Sequence, residues 1–144
     1  MHDLHNNIRA LRVVSPVAAG TTGTGKTGKI IDRQGFGGVE FIVSYGTVTA
    51  TNATAVVVIK DGDATGTLTS VADTYLLGTE SAAGLAATTP RTSGVSKNVT
   101  KRVGYAGNKR YVQANIYTTI SAGIIVGIDA ILHSPLLTAP TSNP

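Results

Sequence analysis

Apolar and polar residues alternate through several short segments of this chain, and that two-residue period predicts strands. Residues 39–45 (VEFIVSY) place Val39, Phe41 and Val43 on one face. Residues 55–60 (AVVVIK) form a β-branched run, the pattern of a buried strand, which Asp61-Gly62 then turns. Residues 98–105 (NVTKRVGY) and 109–120 (KRYVQANIYTTI) predict two more strands, and Ala106-Gly107-Asn108 between them reads as a hairpin turn. In the second of these, Tyr111, Gln113, Asn115 and Tyr117 share one face; Val112, Ala114, Ile116 and Thr118 share the other. Residues 124–132 (IIVGIDAIL) predict the last strand.

Weaker patterns fill the gaps. Residues 8–14 (IRALRVV) predict a strand or docking segment ended by Ser15-Pro16. A Gly/Thr loop over 20–29 leads to a short strand over 29–33 and a turn over 34–38 (QGFGG). Leu68, Val71 and Tyr75 approach helical spacing, but the Thr content and missing Glu and Lys make a poor helix. Residues 81–89 (SAAGLAATT) read as a featureless excursion. Seven or eight short strands with at most one short helix leave two solutions: antiparallel sheets packed face to face, or a closed barrel. Polar residues 1–7 read as an arm and proline-rich 133–144 as a tail. The expected division is an N-terminal arm and first strand over 1–14, a β-sandwich domain over 15–132 and a C-terminal tail over 133–144.

Composition narrows the function classes. A chain of 144 residues suits one domain that buries a core without staples. It has no cysteine, so disulfides and thiolate metal sites are excluded. Charged residues are only 14%, against about 25% in an average chain. Thr, Ser, Asn and Gly therefore cover the surface, which suits neither a disordered polyelectrolyte nor a long solvated helix. A net charge of +4 argues weakly for nucleic acid unless the cations cluster. The opening MHDLHNNIRAL has no apolar stretch of signal-peptide length. The longest apolar-rich segment, 122–132, is interrupted by Asp129 and is too short to span a bilayer.

The loudest motif is Gly20-Thr21-Thr22-Gly23-Thr24-Gly25-Lys26-Thr27, which fits the phosphate-loop pattern letter for letter. Such a loop must follow a buried parallel strand and open a helix. Here Pro16 cuts the apolar run upstream, and glycines 28, 35, 37 and 38 oppose a helix downstream. The pattern is read as a product of Gly/Thr-rich composition, with an NTPase as a distant alternative. Asp61-Gly62-Asp63-Ala64-Thr65-Gly66 resembles the start of a calcium loop, but Ala72 stands where the bidentate glutamate belongs, so a plain turn is expected. His2, His5 and His133 lie in the termini and form no metal or triad spacing. Neither Asn52-Ala53-Thr54 nor Asn98-Val99-Thr100 carries weight as a glycosylation site without a signal peptide. No enzyme, cofactor, metal or small-molecule substrate is expected.

Lys97, Lys101, Arg102, Lys109 and Arg110 form the one basic cluster, with Tyr105 and Tyr111 among them. Two readings stand side by side: a docking face for an acidic protein surface or nucleic acid, or edge-strand cations that prevent sheet-to-sheet aggregation.

Four stretches, MHDLHNNI, IDRQGFGGVEFIVSYGTVT, IKDGDATGTLTSVADTYLLGTE and KNVTKRVGYAGNKRYVQANI, give the chain over about residues 1–135 a wider likeness. It resembles the small structural proteins encoded beside the major capsid protein in tailed bacteriophages, capsid decoration or cement proteins among them. The resemblance implies a jelly-roll-like antiparallel β-sandwich with extended N- and C-terminal arms. It implies a homo-oligomer, dimer or trimer, on the outer surface of the virion, made in the host cytoplasm. The implied partner is the major capsid protein, with neighbouring capsomers bridged and neither nucleic acid nor membrane bound directly. Leu4, Ile8, Leu136 and Leu137 in the arms and the five cations are then the expected interface. A tail-tube or head-completion protein is the nearest rival. A carbohydrate-binding module is another, though the chain has no Trp and only five Tyr for stacking.

Overall fold

Long strands form where β-branched and aromatic side chains can bury one face of a pleat. The computed structural model describes residues 3–19, 25–118 and 123–136. In chain order they form β1 (Arg9–Ala18), β2 (Gly25–Lys26), β3 (Ile30–Asp32), β4 (Phe36–Val48), β5 (Ala55–Gly62) and β6 (Thr69–Ser70). A 3-10 turn (Asp73–Tyr75) leads to β7 (Leu76–Leu77) and the helix α1 (Glu80–Ala83). β8 (Val99–Tyr105), β9 (Tyr111–Thr118) and β10 (Ile124–Pro135) complete the described chain.

The protein is all-β, with two antiparallel sheets. The first has the order β1-β10-β4-β8-β7; the second has the order β2-β9-β5-β6, with β3 also paired to β9. Every pairing is antiparallel. The inner rows carry the core. Val39, Phe41, Val43 and Tyr45 of β4 sit opposite Leu132, Ala130, Ile128 and Val126 of β10. Val57 and Ile59 of β5 and Val112, Ala114 and Ile116 of β9 join the same apolar cluster from the second sheet. Each such large side chain contributes about 1.5–3 kcal/mol by leaving water.

The long sides of the sandwich are closed differently. On one, β1 meets the second sheet where the Lys29 N–H donates to the Val13 carbonyl at 3.0 Å. On the other, α1 is a plug. Thr79 caps it, Tyr45 donates to the Ala83 carbonyl, Lys101 donates to the Gly84 carbonyl, and the Glu80 carboxylate accepts the Ile59 N–H at 2.5 Å. The excursion expected to be featureless over 81–89 thus holds a helix, fixed by tertiary bonds that local propensity does not show.

Three further expectations change. The strand ending expected at Ser15-Pro16 does not occur, because β1 is an edge strand whose register slips between Val14 and Val17 and so accommodates a proline. β5 buries one face only, and Val56 on its other face is 45% exposed. The hairpin expected between 98–105 and 109–120 is instead a crossing: β8 belongs to the first sheet and β9 to the second. Tyr105 turns the chain there. Its hydroxyl donates to Asp61 at 2.6 Å and accepts the Lys109 N–H. Its ring occupies the space a Gly107 side chain would need.

At the termini, residues 3–7 fold into an exposed turn in which Asp3 accepts from Asn6, in place of an extended arm. β10 runs to Pro135, past the expected start of the tail at 133. The expected features at His2 and Leu137 lie outside the described residues, as does the phosphate-loop pattern from Gly20 to Thr24.

Candidate interaction surface

Antiparallel pairing decides where the sequence-predicted interface residues lie. β1 begins where β10 ends, with Arg9 opposite Leu132 and Phe36 of β4 opposite Pro135. The start of β1 and the end of β10 therefore lie at one end of the sandwich, next to the turn over 33–36. Leu4 is 68% exposed and Leu136 66%, while Ile8 is half-buried. The Leu136 N–H donates to the Gly35 carbonyl. A cleft of about 260 Å³ opens at this end, lined by Arg33, Gln34, Gly35, Phe36, Arg110 and Leu136. It brings together two of the predicted residues, Arg110 and Leu136.

The crossing from β8 to β9 divides the predicted basic cluster. Lys101 and Arg102 lie on β8 in the first sheet, with Lys97 in the loop before it; Lys109 and Arg110 lie beside the start of β9. Lys101 points its ammonium at the Gly84 carbonyl, 2.7 Å away, so it holds α1 in place. Arg102 is highly exposed on the outer face and stands 3.7 Å from Glu40. Lys109 pairs with Asp63 at 2.5 Å, and that contact raises the ammonium pKa. Arg110 grips Asp32 with two N–H groups, 3.0 and 2.7 Å, and lies over the Tyr111 ring at 5.0 Å. The hydrogen bonds from Arg110 hold the Asp32 carboxyl below its ordinary pKa. Three of the five cations thus have carboxylate partners, and the five do not make one face.

The sequence reading missed Arg33, which organises this end. Its guanidinium donates to the carbonyls of Lys109, Gly107, Phe36 and Gly37 and lies over the Tyr105 ring. It ties the turn after β3 to the crossing between the sheets. The Gly107 and Lys109 carbonyls are 74 and 76 residues away in sequence, so no local spacing could reveal the role.

The phosphate-loop alternative requires a helix after Lys26. In the structure Gly25 and Lys26 form β2, and Ile30–Asp32 forms β3. The two strands pair with β9 around a one-residue bulge. Gly28 in the bulge donates to the Asn115 side chain, and its carbonyl accepts from Gln113. This segment is a strand edge, and the nucleotide reading of the motif is dropped. Among the described residues, no group of three or more His, Asp or Glu side chains converges as a metal site would require. No helix there is long and apolar enough to cross a membrane. No protein-family model matches the chain, and no curated protein matches it significantly.

Proposed function

We propose that this chain is a structural protein of a tailed-bacteriophage virion, which decorates the capsid by binding the major capsid protein and bridging capsomers. The observation that carries the reading is that the start of β1 and the end of β10 lie together at one end of a two-sheet body, with Leu4 and Leu136 exposed beside them. Such a body can grip a neighbour with one end while its sheets stay intact. The order of strands supports the finer, jelly-roll reading: the chain passes repeatedly between the sheets, with β1, β4, β8 and β10 in one and β2, β5, β6 and β9 in the other. Many copies on a lattice turn modest contacts into firm attachment through multivalency, which suits a homodimer or homotrimer spanning capsomers.

The test is cosedimentation of the purified chain with empty capsid shells and, separately, with double-stranded DNA. Saturable recruitment to shells but not to DNA is expected. Assembly of the chain alone into six-fold rings or tubes, with no recruitment to shells, would replace this reading with a tail-tube or head-completion role.

A further inference from the structure

A second cavity, of about 260 Å³, opens where the end of β5, β6, the 3-10 turn and the crossing from β8 to β9 converge. Its lining joins apolar Val71 to Asp61, Ser70, Asn108 and Lys109 and to Tyr75. Each wall is held by its own bonds. β6 pairs with Lys60 and Asp61 of β5. The Val71 N–H donates to the Ile59 carbonyl at 3.0 Å, the Tyr75 N–H to the Ala72 carbonyl at 2.9 Å, and the Ala106 N–H to the Tyr75 carbonyl at 2.9 Å. The Tyr105 hydroxyl ties the crossing to Asp61. The cavity is therefore formed before any ligand arrives, which lowers the ordering cost of binding.

Two groups here are left over by the fold. Asp61 spends Oδ2 on Tyr105, and among the described residues nothing bonds its Oδ1, which is not buried. Tyr75 is 54% exposed. Arg33 lies over the Tyr105 ring and Arg110 over that of Tyr111, but no described cation lies over Tyr75.

We propose that this cavity binds one ring of a neutral saccharide, with the C–H face of the sugar on the Tyr75 ring and a sugar hydroxyl donating to Asp61 Oδ1. The site goes beyond the capsid reading and does not depend on it.

The chemistry of the lining selects the ligand. A few placed polar groups beside an aromatic side chain in a concave site are what a small polar ligand requires. An aromatic ring carries a negative face, on which the weakly positive C–H groups of a sugar ring can rest. A carboxylate only accepts, an ammonium only donates, and a hydroxyl or a side-chain amide does both. Asp61, Lys109, Ser70 and Asn108 present that mixed set. Sugar hydroxyls both donate and accept, so they can answer all four. A guanidinium or ammonium from a partner protein only donates. It would satisfy Asp61 and rest on Tyr75 but leave the Lys109 and Asn108 donors unanswered.

The experiment titrates the full chain with the methyl glycosides of glucose, galactose, mannose and N-acetylglucosamine, and with n-butylguanidinium as the basic rival. Backbone amide signals and ligand protons are followed by NMR. At least one glycoside should shift the amides of residues 70–75 and 107–109, and its ring protons should move upfield over the aromatic face. Tyr75→Ala should weaken that binding about tenfold, roughly one stacking contact, while Tyr75→Phe should leave it unchanged. Asp61→Asn keeps an acceptor for Tyr105 and should also cost about tenfold, as a charge-assisted bond becomes a neutral one. Tyr75 is exposed, so its variants report even where Asp61→Asn fails to fold. Tyr117→Ala, which removes another exposed tyrosine outside the cavity, should change nothing. Absence of glycoside binding, undiminished binding by Tyr75→Ala, or equal sensitivity to Tyr117→Ala overturns the proposal. Tighter binding of n-butylguanidinium than of every glycoside also overturns it and gives the cavity to a basic side chain.

Discussion

In the sheet built on β4 and β10, inner-face partners are apolar pair after pair: Val39 with Leu132, Phe41 with Ala130, Val43 with Ile128. The sheet built on β5 and β9 shares that core through Val57, Ile59 and Ile116 but depends on polar side chains elsewhere. Asn115 and Gln113 satisfy the backbone of the bulge at Gly28. Glu80 caps the Ile59 N–H, and Asp61 holds Tyr105. The central strands of the first sheet are stabilised mainly by area removed from water, with Tyr45 and Lys101 bonding outward to the helix plug. The second needs directional bonds to keep an irregular edge and a sheet crossing in place.

The largest break in this contrast is Phe41→Ala. It empties the centre of the shared core and should cost about 4 kcal/mol in denaturant unfolding, with cooperativity retained. Next is Asn115→Ala, which leaves the buried Gly28 N–H without its acceptor. About 2 kcal/mol is expected, together with faster hydrogen exchange confined to β2 and β3. No loss of stability, or exchange that speeds evenly through both sheets, would contradict the contrast.

Tyr105→Phe should cost about 1.5 kcal/mol near neutral pH, since it removes a hydrogen bond to a carboxylate. Its pH signature is sharper. Burial, with the bond to Asp61, pushes the Tyr105 hydroxyl up to about 12. The folded protein therefore holds this proton after the unfolded chain, at about 10, has lost it. Stability from Tyr105 is complete below pH 10 and is lost as pH rises through about 12. The phenylalanine variant should show a shallower alkaline decline in thermal melts; an unchanged slope would contradict the latch. The smallest effect belongs to Arg102→Ala. Arg102 is highly exposed and 3.7 Å from Glu40, so less than about 0.5 kcal/mol is expected. A larger loss would return a structural role to the divided basic cluster.

The same contrast explains what could be read from the sequence. Segments 39–45, 55–60 and 124–132 declare themselves because burying one pleated face demands alternation, and β4, β5 and β10 lie there. Ala106-Gly107-Asn108 misleads because hairpins and sheet crossings use the same turn residues. What separates them is Tyr105 reaching Asp61, 44 residues away. Residues 80–83 lack helical periodicity, and bonds to Ile59 and Tyr45 hold the helix instead. At the candidate surface, Leu4, Arg110 and Leu136 stood out as exposed or charged residues in suitable places. Arg33 did not, because its role depends on the turn after β3 meeting the crossing between the sheets, which no local pattern encodes.

Electron microscopy of the purified virion tests the central claim most directly. The account predicts a two-sheet density for this chain on the outer shell, at junctions between capsomers, with the end bearing Arg110 and Leu136 against the capsid protein. The same density inside the tail or at the head–tail junction, or its absence from the particle, would contradict it.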